Sequence, residues 1–253
     1  MSLQFIAHRG YSAERPENTI ASFDLAMEQG FRYLELDVHL AKDGIPVVMH
    51  DSDVDRTSNF SGPISSYTSR ELRDLDVTSW FKLKNGYSGA VEGVPTLDEV
   101  LSRYKENSHI FIEIKSGEVA LISAIEQCLK TVGWLANPTE PFNGIHGASI
   151  ISFDPDQVIR SKKLLQDLGH GLLVVTSSVD SIRFSYENVI QGYFPYLPNQ
   201  TRKEVQMAED FGLIVGGWGI SRLEELDLAI DLKVWGVTVN WPQKAAEYLS
   251  RSN

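Results

Sequence analysis

Apolar residues along the chain recur in two different periods. Runs rich in Val, Ile, Leu and aromatic residues at 4–8, 33–39, 110–115, 148–153, 171–175, 188–191, 212–217 and 235–239 carry the pattern of buried or half-buried strands. Between most of them lie amphipathic stretches of helical length, at 21–29, 97–105, 119–132, 156–168 and 223–231. Their starts are marked. Thr96-x-x-Glu99, Thr201-x-x-Glu204 and Ser221-x-x-Glu224 have capping-box form, and Asp154-Pro155 sets a cap before a proline suited to a first helical turn. Eight strands alternating with helices over 253 residues predict an α/β protein of the (β/α)8 barrel (TIM barrel) type. A doubly wound sheet would place a glycine-rich phosphate loop after the first strand, where this chain has His8-Arg9-Gly10-Tyr11.

The alternation breaks once. From Gly44 to Pro95 the chain carries Pro46, Pro63, scattered Gly and Ser, a short helix signal at Thr68-Ser69-Arg70-Glu71 and no clean βα unit. It reads as a small insertion after the second strand, lying over the barrel mouth, within a single domain spanning 1–253. Phe60, Trp80, Phe81 and Tyr87 in this stretch could pack it onto the barrel or offer an apolar approach to a ligand.

Charge and composition narrow the function. With 23 Lys+Arg against 34 Asp+Glu, a net charge of −11 argues against a nucleic-acid partner, although a few local cations can still receive a small anion. Cys128 stands alone, so no intrachain disulfide is possible. No apolar run approaches a membrane span, and Gln4–Arg9 reads as a strand where a signal peptide would lie. The expectation is a cytoplasmic protein with no stable membrane association. Nothing in the sequence bears on the oligomeric state.

The ionisable residues cluster where strands end. His8-Arg9 closes the first strand, and Glu35-Leu36-Asp37 lies in the second. His50-Asp51 follows the extended Val47-Val48-Met49, and Glu113-Ile114-Lys115 closes the third βα strand. Strand side chains alternate, so Glu35 and Asp37 share a face, as do Glu113 and Lys115. Taken singly, each has a structural reading: a solvated carboxylate, a hydrogen-bonded core histidine, an ion-pair partner for Arg9 or Lys115, an orienting or turn role for Asp51. Their coincidence at the end of a barrel where catalytic groups gather has no such reading. Three convergent carboxylates without cysteine favour a hard divalent cation such as Mg²⁺ or Ca²⁺.

Together these residues resemble the glycerophosphodiester phosphodiesterase family. The resemblance rests on His8-Arg9-Gly10, Pro16-Glu17-Asn18-Thr19, Glu35-Leu36-Asp37-Val38, Lys42-Asp43-Gly44, His50-Asp51, Arg56-Thr57, Pro95-Thr96-Leu97 and Glu113-Ile114-Lys115, in order and spacing. Weaker echoes follow at Ser152-Phe153-Asp154, Trp218 and Pro242. The resemblance implies a barrel hydrolysing a small-molecule glycerophosphodiester, such as glycerophosphocholine or glycerophosphoethanolamine, to glycerol 3-phosphate and an alcohol. It implies one divalent cation, Mg²⁺ or Ca²⁺ with Mn²⁺ also able to serve, on Glu35, Asp37 and Glu113. His8 and His50 would be the acid and base in undetermined order, Arg9 and Lys115 the phosphate-binding cations, and Trp218 a packing surface for glycerol or leaving group. The family often has an Asp just before the proline after the last strand, where this chain has Asn240-Trp241-Pro242. A lysophospholipase D-like activity, a non-catalytic barrel and a metal-dependent sugar isomerase or aldolase are the rival readings.

Overall fold

The computed structural model describes residues 3–136, 142 and 145–251. In chain order its elements are β1 (Gln4–His8), α1 (Ile20–Glu28), β2 (Tyr33–Leu40), β3 (Pro46–Val48), α2 (Ser69–Arg73), α3 (Ser79–Asn85), α4 (Leu97–Tyr104), β4 (His109–Ile114), α5 (Val119–Thr131), β5 (Gly147–Ser152), α6 (Pro155–Leu164), β6 (Gly169–Val174), α7 (Val179–Glu187), β7 (Gly192–Pro195), α8 (Arg202–Asp210), β8 (Ile214–Gly217), α9 (Glu225–Leu232), β9 (Gly236–Val239) and α10 (Pro242–Arg251). Eight parallel strands close into a ring because β1 pairs with both β2 and β9. β3 stands outside that ring and runs antiparallel along the end of β2, with Val48 opposite Val38. The fold is the (β/α)8 barrel that the periodicity predicts.

Alternation along each strand sorts the core into two layers. Ala7, Leu34, Leu36, Val38, Ile110, Ile112 and Ile114 pack outward with Phe23 of α1, Leu97 and Leu101 of α4 and Ile122 and Ile125 of α5. Leu34 and Leu36 are fully buried, which contributes about 1.5–3 kcal/mol each. The intervening residues point into the barrel, where Ile6, Phe111, Ile151, Leu173 and Phe194 fill the space with Phe142. The Phe194 ring takes room that glycine leaves. A Cβ at Gly171, Gly192 or Gly216 would lie 2.3, 2.7 or 2.6 Å from its ring atoms.

The segment after β2 has a hydrophobic cluster of its own, in which Val47, Met49, Val54, Ile64, Leu72, Leu75, Val77 and Val94 are buried together. Phe81 is buried and meets Trp80 and Tyr87 edge-on, with ring centroids 5.4 and 6.1 Å away. The Trp80 indole donates to the Val77 carbonyl, and Arg15 of the β1–α1 loop stacks over Tyr87. Of the four aromatic residues noted in this stretch, Phe60 alone is exposed by half.

Local signals were followed closely except at two places. Thr68, Thr96 and Thr201 form reciprocal capping boxes, and Asp154 caps α6 ahead of Pro155. The Ser221 box shifts by one residue, since Glu225 instead of Glu224 accepts from the Ser221 and Arg222 amides and α9 begins later. The strand expected at 188–191 is instead β7 at Gly192–Pro195. Val189 turns the chain with φ +55° and is exposed, while Ile190 anchors the turn in the core. Glycine and proline at the ends of Gly192-Tyr193-Phe194-Pro195 hide a strand whose first residue must be small. Among the described residues no helix is long and apolar enough to cross a membrane.

Candidate functional site

Strand register assembles the ionisable groups. His8 pairs with Glu35 across β1 and β2, and Asp37 pairs with Glu113 across β2 and β4. Because Leu34, Leu36 and Val38 face the helices, Glu35 and Asp37 must face the barrel lumen at its C-terminal end. Glu113 joins them for the same reason. One oxygen of each of the three carboxylates lies within 4.8 Å of the others, and all three residues are buried.

Such crowding has an electrostatic cost that shows in the titration of the groups. Burial, then the charges of Asp37 and Glu113, hold the Glu35 carboxyl well above its ordinary range despite Arg9. Burial and Asp37 push Glu113 up to about 7, against the opposing pull of Lys115. Two oxygens, Glu35 Oε1 and Asp37 Oδ1, are buried without a hydrogen bond. Buried carboxylate oxygens are ordinarily paired, so two that aim into one space fit a cation held between them. The all-oxygen donor set fits a hard divalent ion.

Cations and amides complete the surroundings. Arg9 takes a left-handed backbone conformation, φ +56°, followed by Gly10 at φ +78°, whose Cβ would collide with the backbone of Ser22. That turn aims the Arg9 amide at Glu35 Oε2, 3.0 Å away, and its side chain at Asp37 Oδ2 (3.2 Å) and Glu17 Oε1 (2.8 Å). Lys115 Nζ lies 2.8 Å from Glu113 Oε1 and 3.6 Å from Asp37 Oδ1. Burial would lower its pKa, but Glu113 and Asp37 outweigh that and hold the ammonium charged.

The two histidines flank this centre in different settings. His8 Nδ1 is 2.6 Å from Asn240 Oδ1, while its Nε2 lies 3.9 Å from Glu35. The single Ser12 hydroxyl proton goes to the His8 carbonyl at 2.7 Å. With the Asn240 amide oxygen facing the ring, Nδ1–H donates to it and Nε2 carries the lone pair. Burial and the neighbouring Arg9 charge pull the His8 pKa down to about 4. His50 Nδ1 instead meets a carboxylate, Asp51 Oδ1, at 2.6 Å. Arg56 holds the other Asp51 oxygen at 2.5 Å, and these bonds outweigh burial to keep Asp51 ionised down to about 2.

Trp218 sits at the end of β8, where its indole N–H donates to the Val174 carbonyl at 3.3 Å and its ring meets Phe153 and Tyr196 edge-on at 5.2 and 4.9 Å. It belongs to an aromatic wall facing the mouth. Sequence reasoning noted Asn240 only as a departure and assigned no role to Asn18 or Glu17. Asn18 Nδ2 donates to Asp37 Oδ2 at 2.8 Å, and Glu17 bridges Arg9 and Arg56. Asn18 reaches a strand residue and Glu17 the segment after β3, contacts that spacing along the chain could not reveal.

The sequence model of the "Glycerophosphoryl diester phosphodiesterase family" matches residues 8–244. A glycerophosphodiester phosphodiesterase of Caldanaerobacter subterraneus subsp. tengcongensis is 33% identical over 244 residues, covering 96% of each chain. One from Bacillus subtilis is 29% identical over 94% of this chain and 83% of its own. Among solved structures, an Oleispira antarctica phosphodiesterase in complex with the product sn-glycerol-3-phosphate superposes with a TM-score of 0.84 at 27% identity, over 98% of this chain and 96% of that one. Likeness of this extent, over nearly the whole chain, shows that the chain belongs to the glycerophosphoryl diester phosphodiesterase family and is a phosphoric diester hydrolase.

Proposed function

We propose that the enzyme hydrolyses water-soluble glycerophosphodiesters such as glycerophosphocholine and glycerophosphoethanolamine to glycerol 3-phosphate and the head-group alcohol. In this reading Glu35, Asp37 and Glu113 hold one divalent cation, Mg²⁺ or Ca²⁺, and His8 and His50 move the protons. The observation that carries it is the pair of buried oxygens on Glu35 and Asp37 that accept no hydrogen bond, set beside Arg9, Lys115 and two histidines. Charge supports it: burial and mutual repulsion hold Glu35 and Glu113 above their ordinary range, and a divalent ion would offset that repulsion and favour an anionic phosphodiester beside it. When bound, the ion would supply a Lewis acid to a phosphoryl oxygen.

The chain's own groups account for the rest. Arg9 and Lys115 offset charge on the phosphoryl oxygens as it develops. His8, neutral and with its Nε2 lone pair directed by the Asn240 contact, takes the proton from the attacking oxygen. His50, held through Nδ1 by Asp51, gives a proton to the departing alcohol. Trp218, with Phe153 and Tyr196, forms a wall for the carbon skeleton of the substrate. The Oleispira structure with glycerol 3-phosphate supports this product. A lysophospholipid substrate would need an apolar path for an acyl chain, and Phe81, Trp80 and Tyr87 are spent on packing one another.

Release of glycerol 3-phosphate from both substrates, measured after chelation and again with added Mg²⁺, Ca²⁺ or Mn²⁺, tests the reading. Release should require the ion and should fall to a small residual rate in His8→Ala and His50→Ala with metal binding retained. Undiminished release in chelator, or in either histidine variant, would remove the mechanism.

A further inference from the structure

A chain of alternating charges runs across the site from Asp37 through Arg9, Glu17, Arg56 and Asp51 to His50. Its links are short: Arg9 Nη1 to Glu17 Oε1 at 2.8 Å, Arg56 Nη2 and Nη1 to Glu17 Oε1 and Oε2 at 2.7 and 2.9 Å, Arg56 Nε to Asp51 Oδ2 at 2.5 Å, and Asp51 Oδ1 to His50 Nδ1 at 2.6 Å. The Arg56 guanidinium uses one edge on Glu17 and its Nε on Asp51, a fork that a point-like ammonium could not reproduce. Glu17 belongs to the loop after β1, whereas His50, Asp51 and Arg56 belong to the segment after β3.

The backbone on either side of His50 is anchored by the burial of Met49 and Val54 and by its own hydrogen bonds. The Met49 amide donates to the Asp37 carbonyl at 3.1 Å, and the His39 ring lies 3.1 Å from the His50 carbonyl. Both hold the backbone and neither sets the direction of the His50 ring. Ring direction depends on Asp51, and Asp51 is itself fixed by Arg56.

We propose that Arg56 and Glu17 are positioning residues for the hydrolysis: they clamp the loop bearing His50 and Asp51 to the loop bearing Arg9, so that the proton-transferring ring and the phosphate-facing cation are set as one unit. The inference rests on the proposed role of His50. Arg56 is 44% exposed, and ion pairs of that exposure add at most about 1 kcal/mol to stability. Its consequence should therefore appear in turnover and not in folding. Partners that orient a functional histidine typically matter by about 10–100-fold.

The experiment compares Arg56→Gln, Arg56→Lys, Glu17→Gln, His50→Ala and the double variant His50→Ala/Arg56→Gln, with glycerophosphocholine as substrate and saturating Mg²⁺. Arg56→Gln should lower kcat about 10–100-fold while KM, the Mg²⁺ dissociation constant and the melting midpoint stay near the parent's. Arg56→Lys should recover only part of the loss, because a lysine can hold Asp51 or both Glu17 oxygens but not both partners in register. In the His50→Ala background Arg56→Gln should cost nothing further. Parental kcat in Arg56→Gln would overturn the proposal, as would a further tenfold loss in the His50→Ala background, which would show Arg56 acting on the substrate directly. If His50→Ala keeps parental activity, the acid–base reading fails, and a loss in Arg56→Gln would then show that the clamp does not act through His50. If instead His50→Ala is inactive and Arg56→Gln is not, the clamp alone is refuted.

Discussion

Replacing Asn240 with Asp puts a carboxylate where an amide oxygen now accepts the His8 Nδ1–H at 2.6 Å. The geometry changes little, since Asp and Asn are nearly isosteric. The electrostatics change a great deal. A full charge about 4 Å from the imidazolium at an effective dielectric of about 20 is worth roughly 4 kcal/mol, equivalent to about three pKa units. Solvent reaches part of the ring, whose side chain is 31% exposed, so a rise of about 1–2 units is the appropriate expectation. His8 must be unprotonated to accept a proton, and in the parent burial and Arg9 hold its pKa near 4. A raised pKa means that the base stays protonated to higher pH. The acidic limb of kcat/KM should accordingly move upward by about 1–2 pH units, with the plateau at mildly alkaline pH nearly unchanged. The assay is glycerol 3-phosphate release over roughly pH 3 to 9 at saturating Mg²⁺, a range that spans the acidic limb of both proteins. An acidic limb at the parental position, in a folded variant, would refute His8 as the base. Movement of the alkaline limb instead would exchange the roles of the two histidines.

Other consequences can be measured without turnover. Glu113, pushed up to about 7 in the folded protein from an ordinary 4.5, binds a proton there that the unfolded chain releases. Metal-free protein should therefore gain stability as pH falls from about 7 to 4.5, by about 3 kcal/mol at most, and Mg²⁺ should erase the gain. A melting midpoint in EDTA that falls over this window would count against the crowded carboxylate centre. Glu17 is shifted the other way: hydrogen bonds and charge from Arg56 and Arg9 outweigh burial and hold it at about 2. Its contribution, on the order of 2 kcal/mol, is complete above about pH 4.5 and lost as pH falls to about 2. Glu17→Gln should be the less stable protein at neutral pH and should converge with the parent in acid urea titrations. Equal stability at both ends would mean that Arg9, the less exposed of its two partners, does not stabilise the Glu17 carboxylate. Inside the barrel, Gly171→Ala should cost about 1–3 kcal/mol because its Cβ would lie 2.3 Å from Phe194, and adding Phe194→Leu should return part of that in denaturant midpoints.

What could be read from the chain, and what could not, divides along a physical line. The barrel was legible because each unit announces itself locally: Leu34, Leu36 and Val38 alternate with Glu35 and Asp37, and capping boxes at Thr96 and Thr201 mark where helices begin. The same alternation placed both carboxylates of β2 on one face, and strand register then brought Glu113 beside Asp37. β7 escaped because its identity is a packing fact, a glycine needed beside Phe142 and Phe194, and not a propensity. The partners of the histidines escaped for a related reason. Asn240 reaches His8 across 232 positions of sequence, and Glu17 reaches Arg56 across 39, each through side chains whose meeting depends on how loops fold over the mouth. Strand periodicity can say which face a group occupies but not what a loop brings to it. The two histidines illustrate the difference. By sequence they are equivalent, each beside a charged neighbour, Arg9 and Asp51. In the folded protein one leans on a neutral amide and the other on a carboxylate, and that contrast, set entirely by long-range contacts, is what can give one ring the work of a base and the other the work of an acid.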